Sequence, residues 1–140
     1  PAMVNTYMNN LITWRDVLPV SCRLLCECHP DTILEEPMQA ADILSPLPDQ
    51  LEIIVHAFGG DDDSKLRLWI EAFGSAVTHV HAVVREKTAA SQRIKILKNA
   101  GFSGTWTIEF CDGVAHPPED MRQLLATATG DLNYLRKELT

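Results

Sequence analysis

Basic residues are scarce in this sequence, and the long apolar runs typical of membrane proteins are missing. Among 140 residues there are 12 Lys and Arg against 19 Asp and Glu, which gives a formal net charge of −7. Because nucleic-acid-binding proteins draw affinity from clustered Lys and Arg, this balance predicts no nucleic-acid partner. No stretch approaches the roughly 20 apolar residues of a membrane span, and the first residues lack a signal pattern. We therefore expect a cytoplasmic protein with no membrane partner.

The cysteines do not form the pattern of a disulfide framework. Cys22, Cys26 and Cys28 lie two to four residues apart in an apolar run, so a bond between any two would need a bend in the chain. We interpret them as reduced core residues of an intracellular protein. A zinc site formed by Cys26, Cys28 and His29 is an alternative, although it lacks the paired spacing that zinc sites usually show.

Strand-like and helix-like segments alternate along the chain, and no linker separates them. Helices are predicted over 5–17, 32–44, 65–74, 88–101 and 117–139, and strands over 21–29, 51–58, 76–84 and 104–111. Successive strands begin about 25–30 residues apart, the length of one strand–helix crossover unit. The sequence therefore predicts one α/β domain over 1–140. A leading helix and connection occupy 1–20, and four β/α units in 21–140 form a parallel sheet with helices outside.

Ionisable side chains collect on one face of every predicted strand. With a period of two residues, the four strands place together Arg23, Leu25, Glu27 and His29; Glu52, Ile54 and His56; Val77, His79, His81 and Val83; and Thr105, Thr107, Glu109 and Cys111. A sheet covered by helices on both faces would need two apolar faces, whereas one face of each strand lines the interior of a barrel. The pattern therefore favours a closed or half-closed barrel.

Four of these residues lie at or near the carboxyl ends of their strands, namely Glu27, His56, His81 and Glu109. Barrel enzymes place their chemistry at that rim, so these residues form a candidate site. Arg23 and Glu52, four residues earlier on consecutive strands, form a candidate buried ion pair below it. Two carboxylates and two imidazoles suit Mn, Zn, Fe or Co better than Ca. The alternative is that each is an ordinary hydrogen-bonded residue, but four at the same depth favour a metal or catalytic site.

Three segments carry a resemblance to a known family. "LLCECHPDTILEEPMQAADIL" looks like a strand ending in Glu-x-His and the segment after it, "THVHAVV" like a His-containing strand, and "AGFSGTWTIEFCDG" like a last strand ending in Glu. Together they resemble the C-terminal half of the xylose-isomerase-like (β/α)8 barrel superfamily of sugar and sugar-phosphate isomerases and epimerases. The third segment is the most specific, and the resemblance runs from Leu18 to the end of the chain.

The resemblance implies a divalent metal (Mn, Zn, Co or Mg) held by Glu27, His56, His81 and Glu109. His56 stands where the family usually has Asp. Glu27 and Glu109 would also move a proton next to the carbonyl of a small sugar or sugar phosphate, through an enediolate. His29 and Arg85 would contact substrate hydroxyls or a phosphate, although Arg85 is equally well explained as a solvated loop residue.

The family barrel has eight strands in about 250 residues, whereas this chain of 140 residues has four predicted strands. A lone half-barrel exposes two sheet edges and its inner face, which favours association. We expect a homodimer that completes the barrel, although a partner chain could supply the first half or the chain could be a fragment. An open four-stranded arrangement with altered pairing is the structural alternative.

Two functions from different classes follow from this half-barrel. One is a metal-dependent isomerase or epimerase, or the C-terminal half of one. The other is a non-catalytic half-barrel that serves as an assembly or binding module. Related barrel metallohydrolases that cut DNA at damaged sites are a third reading, but they need a richer His and Asp set and a basic surface, which this chain lacks.

Overall fold

A computed structural model of the chain describes residues 2–47, 51–57, 63–84, 86–109 and 120–140. Within these ranges helices and strands alternate, as predicted. The helices are α1 (Ala2–Val17), α2 (Pro37–Leu44), α3 (Asp63–Phe73), α4 (Lys87–Asn99) and α5 (Met121–Leu139), and the strands are β1 (Leu24–Cys28), β2 (Leu51–Ala57), β3 (Val77–Ala82) and β4 (Thr105–Ile108). A 3-10 turn, Gly74–Ala76, joins α3 to β3.

The four strands form one parallel sheet in the order β1-β2-β3-β4. Each strand pairs with the next strand in sequence, and a helix connects the two along the chain. The spatial order of the strands is therefore the same as their order in sequence. This confirms the predicted α/β class and the predicted parallel sheet. Among the described residues, β1 and β4 are the two edge strands of the sheet.

In the part of the chain that the structure describes, helices cover one face of the sheet and leave the other uncovered. On the covered face, strand residues such as Cys26, Ile53 and Val80 are at most 3% exposed, and they share one hydrophobic cluster with residues of α1, α2, α3 and α4. On the other face Leu25 is 46% exposed. We call this second face the open face; it carries Arg23, Leu25, Glu27, His29, Glu52, Ile54, His56, Thr78, His79, His81, Thr105, Thr107 and Glu109. The asymmetry expected from the period of two is therefore present.

The prediction that Val77 shares a face with His79 and His81 is wrong. Val77 is 6% exposed and belongs to the hydrophobic cluster. The register between β2 and β3 shifts at this point, because one extra residue of β3, Thr78, lies between two positions that face consecutive residues of β2. Such a β-bulge reverses the alternation locally. Val77 therefore turns toward the helices, while both histidines remain on the open face.

The second helix begins at Pro37 rather than at residue 32. Glu36, just before it, has an extended backbone with φ −101° and ψ 126°. The proline ring disfavours the helical conformation in the residue before it, and its own fixed φ suits the first helical position. Pro37 therefore starts α2.

The alternative zinc site of Cys26, Cys28 and His29 is not formed. Both cysteines are buried on the covered face, at 3% and 4% exposure. His29 lies on the opposite face, where its ring centroid is 4.8 Å from that of His56. Alternation along the strand therefore separates the thiols from the imidazole.

We expect Cys22 to react with a thiol reagent in the folded protein while Cys26 and Cys28 stay protected. Cys22 is exposed. Burial raises the pKa of the Cys26 thiol, and burial raises the pKa of Cys28 to about 12, so neither forms much thiolate at pH 8. Cys111 lies outside the described residues, so the titration uses a Cys111→Ser background. Rapid reaction of all three thiols before unfolding would contradict this packing.

In the part of the chain that the structure describes, no helix has the length and apolar character needed to cross a membrane. The expected cytoplasmic location stays a prediction.

Candidate metal centre

Four side chains from the four strands meet at the carboxyl end of the open face. We call them the rim cluster: Glu27, His56, His81 and Glu109. Glu27 Oε1 lies 2.6 Å from His56 Nε2 and 3.3 Å from His81 Nδ1, and Glu109 Oε2 lies 3.3 Å from His56 Nδ1. The structure therefore brings together all four residues that the strand ends pointed to.

The rim cluster runs diagonally across the hydrogen-bonded register of the sheet. Glu27 pairs with the residue two before His56, His56 pairs with His81, and His81 pairs with the residue two before Glu109. Pairing continues to the end of the diagonal, because the Glu109 amide donates to the Ala82 carbonyl at 2.9 Å. Strands that tilt relative to a common axis produce such a stagger. The four side chains therefore meet although they do not share one row of the register.

His56 occupies the centre of the cluster, and each of its ring nitrogens faces a carboxylate. Its side chain is 2% exposed. Burial lowers the pKa of His56, and this outweighs the carboxylates of Glu27 and Glu109, which raise it. His56 is therefore neutral at pH 7 and carries a single N–H.

One N–H cannot serve both carboxylates. We assign it to Nε2, which makes the 2.6 Å hydrogen bond to Glu27 Oε1. Nδ1 then directs its lone pair at Glu109 Oε2, a buried atom with no hydrogen-bond partner among the described residues. Two electron pairs at 3.3 Å repel each other, and a cation near them would remove the repulsion.

The donor set fits a divalent transition metal. One ligand atom each from Glu27, His56 and His81 lies within 4.8 Å of the others. Ligand atoms of one zinc ion lie about 3–4 Å apart, so small side-chain rotations would complete this spacing. Carboxylate oxygen combined with imidazole nitrogen suits Mn, Fe, Co or Zn. The unsatisfied Glu109 oxygen supplies a further donor beside the group.

Of the two residues expected to bind substrate, His29 and Arg85, the structure describes His29. His29 lies beside the cluster, with its ring edge against that of His56 at a centroid distance of 4.8 Å. Its Nδ1 lies 2.7 Å from the Pro30 carbonyl oxygen, which can only accept, so Nδ1 carries the N–H of this hydrogen bond. Arg85 lies outside the described residues.

A histidine that the sequence left without a role, His79, lies directly below the cluster. Its ring centroid is 5.4 Å from that of His81. Its Nδ1 contacts the Thr105 hydroxyl, and its Nε2 lies 2.8 Å from the Thr107 hydroxyl. Burial lowers the pKa of His79, as does neighbouring His81. The period of two had already placed His79 on this face, and its link from β3 to β4 could be known only from the pairing of the strands.

The ion pair expected below the site exists, but it is not buried. Arg23 Nε lies 3.8 Å from Glu52 Oε1, and the Arg23 side chain is 50% exposed. Glu52 also accepts a hydrogen bond of 2.8 Å from the Thr78 hydroxyl. The pair is exposed because no described residue covers the open face at this level.

Comparison of the chain with protein-family models, with curated proteins and with solved structures gives no match. The resemblance to xylose-isomerase-like barrels therefore stays a prediction from the three sequence segments. The geometry of the rim cluster is the feature from which a function can be inferred.

Proposed function

We propose that this protein is a divalent-metal-dependent isomerase or epimerase, acting on a small sugar or sugar phosphate, and that its sheet is half of a (β/α)8 barrel. The observation that carries the proposal is the rim cluster. Two carboxylates and two imidazoles from four consecutive parallel strands meet within contact distance, around a buried carboxylate oxygen that lacks a hydrogen-bond partner. Barrels of parallel strands hold their reactive groups at this end.

The half-barrel part of the proposal is supported by two features of the sheet. The described helices pack on one face only, whereas an open parallel sheet normally has both faces covered. The diagonal of the rim cluster across the register supports closure, because a sheet that closes into a barrel has staggered strands.

Glu27, His56, His81 and Glu109 would hold the metal, which when bound polarises the carbonyl and hydroxyl oxygens of the sugar. The side chains of Glu27 and Glu109 are 47% and 28% exposed, so both carboxylates can reach a molecule above the rim. One carboxylate takes the proton from the carbon next to the carbonyl, and the other returns it. The hydrogen bond from His56 orients the Glu27 carboxylate for this transfer.

His29 is placed to orient the sugar. The Pro30 carbonyl holds Nδ1, so the imidazole has a fixed orientation in which its ring can contact a sugar hydroxyl. The side chain is exposed beside the rim cluster. This position agrees with the substrate-binding role that the sequence resemblance implies.

The second candidate function is a non-catalytic assembly module. The exposed, largely polar open face, which carries the apolar Leu25 on its edge strand β1, favours this reading because an enzyme of this kind would use residues from both barrel halves. Such a module would keep the rim cluster and its metal but would not turn over a sugar.

Proton exchange tests the enzyme directly. We expect protein loaded with Mn²⁺ or Co²⁺ to transfer deuterium from D2O to the carbon next to the carbonyl in at least one of a panel of aldoses, ketoses and their phosphates. Proton NMR follows the loss of that C–H signal. Glu109→Gln should slow the exchange at least about 100-fold, because a general base typically contributes that much.

Glu52→Gln is the matched control, since it makes the same chemical change lower on the open face. It should keep the exchange rate. Metal binding without exchange of any sugar would reject the enzyme and leave the assembly module. Absence of metal binding, with no rise in melting temperature on addition of Mn²⁺ or Co²⁺, would reject the metal centre.

A further inference from the structure

The open face is layered along the same diagonal as the rim cluster. Two residues below the cluster on each strand lies a middle layer of Leu25, Ile54, His79 and Thr107. Two residues lower lies a bottom layer of Arg23, Glu52, Thr78 and Thr105, in which Thr78 takes its place through the bulge. Side chains stacked in layers on one face of tilted parallel strands are the interior pattern of a closed barrel.

Both layers below the rim contain exposed side chains that a covering surface would bury. In the middle layer Leu25 is 46% exposed although it is apolar. In the bottom layer Arg23 is half exposed beside an acidic neighbour, Glu52. The edge strands β1 and β4 also present backbone groups for which the described residues show no further strand.

We propose that a second copy of this chain covers the open face, so that the two sheets close into one eight-stranded barrel with β4 of each copy beside β1 of the other. The side chains of the two copies are then complementary in each layer. Leu25 and Ile54 of one copy meet the same apolar pair of the other, and each bottom layer brings one positive and one negative charge, which balance across the axis. This inference extends the half-barrel proposal but depends on none of the metal or catalytic roles.

The register of the new strand pair follows from the observed rows. Along one row the Cα partners are Glu27, Ile54, His79 and Thr105. In an eight-stranded barrel with a shear of 8, the row shifts by about eight residues around the ring, so two identical halves contribute about four each. Compared with this row, the residue of the rim cluster lies two positions later on β2 and on β3, and four positions later on β4. Relative to the rim cluster, the row therefore moves four residues toward the amino ends of the strands between β1 and β4.

Four residues below Glu27 is Arg23, so Thr105 of one copy pairs with Arg23 of the second. Thr107 then pairs with Leu25 of the second copy, and Glu109 with its Glu27. The dimer therefore brings two rim clusters to the same mouth of the barrel.

Formation of a disulfide between two introduced cysteines tests this register directly. The Leu25→Cys, Thr107→Cys double variant, in a Cys22→Ser, Cys111→Ser background, should form a covalent dimer under mild oxidation. Neighbouring strands are about 4.8 Å apart, within the Cα separation that a disulfide spans. Within one chain these positions are three strand spacings apart, about 14 Å, so a bond cannot form inside a copy.

The matched control moves one cysteine by two residues on the same face, in the Leu25→Cys, Thr105→Cys double variant. That offset separates the Cα atoms by about 8 Å, beyond the reach of a disulfide. We expect the first variant to cross-link at least about tenfold faster than the control on non-reducing gels, since only it has the required geometry. Equal cross-linking of both variants, or of neither, overturns the register.

Light scattering of the unmodified chain decides the association itself. In EDTA, which removes any contribution of metal, we expect twice the 15.6 kDa mass of one chain at micromolar concentration. Leu25→Asp should give a monomer with unchanged circular dichroism. Leu125→Asp, at an apolar residue of α5 that is 62% exposed, should remain a dimer. A monomeric unmodified chain, or dissociation caused equally by both substitutions, overturns the proposal. Neither result would bear on metal binding.

Discussion

Glu27→Gln should weaken the binding of Co²⁺ at least about 100-fold, because changes to residues one step further from a metal already cost about 10–100-fold. Glu27 Oε1 is the atom that both imidazoles approach, at 2.6 Å from His56 and 3.3 Å from His81. The amide that replaces it is neutral and offers a weaker oxygen donor. Calorimetric titration with Co²⁺, together with the visible spectrum of the bound ion, measures the change.

Glu52→Gln is the control for this substitution. It also turns a carboxylate of the open face into an amide, but Glu52 is engaged with Arg23 and Thr78 rather than with an imidazole. Its Co²⁺ affinity should stay within about twofold of the unmodified protein, since it lies outside the donor group. Equal affinities for all three proteins would show that the rim cluster binds no metal.

If the rim cluster bound no metal, substitution of Glu109 would have a different effect on stability. Its buried Oε2 has no hydrogen-bond partner among the described residues, so the carboxylate would be an uncompensated cost to folding. Glu109→Gln would then raise the melting temperature or leave it unchanged, in the presence or absence of metal. In a metal-binding protein the same variant should lose the metal-dependent part of its stability.

Gly104→Ala should destabilise the fold by at least about 3 kcal/mol, the upper part of the usual range for overpacking. A Cβ at this position would lie 2.1 Å from the Thr78 carbonyl oxygen and 2.8 Å from the Phe102 ring. The nearest atom belongs to the backbone of the bulge, which cannot move aside as a flexible side chain can. For a chain of this size, the expected fall in melting temperature is roughly 10 °C.

Gly130→Ala is the matched control, and its effect should have the opposite sign. Gly130 lies inside α5, where nothing stands within 4 Å of the added methyl group. Alanine is favoured over glycine in a helix interior by about 1 kcal/mol, so this variant should be more stable. Urea unfolding followed by circular dichroism measures both. A Gly104→Ala protein as stable as the unmodified one would contradict the close approach of β4 to the bulge.

Much of the fold could be predicted because its signals are local. The period of two along the strands identified the face that carries Glu27, His56, His81 and Glu109. The start of α2 was predicted at residue 32, five residues before Pro37, where the helix begins. A proline both ends one conformation and starts the next, and the pattern of apolar residues does not say which.

The errors and omissions in the candidate site come from interactions between strands. Val77 was placed on the wrong face because a bulge depends on how β3 meets β2, and alternation within one strand does not reveal it. The link from His79 to two threonines was missed for the same reason. The exposure of Arg23 also went unforeseen, since burial depends on what covers a face.

Residue order along the chain was sufficient to name the chemistry of the rim: two carboxylates and two imidazoles, one from each strand end. It could not show that His56 stands between both carboxylates, or that one Glu109 oxygen is buried without a hydrogen-bond partner among the described residues. Those facts depend on the stagger between strands, which is set by pairing across more than 20 residues of intervening chain. Side-chain alternation is a property of one strand, whereas proton sharing and metal geometry are properties of the assembled sheet.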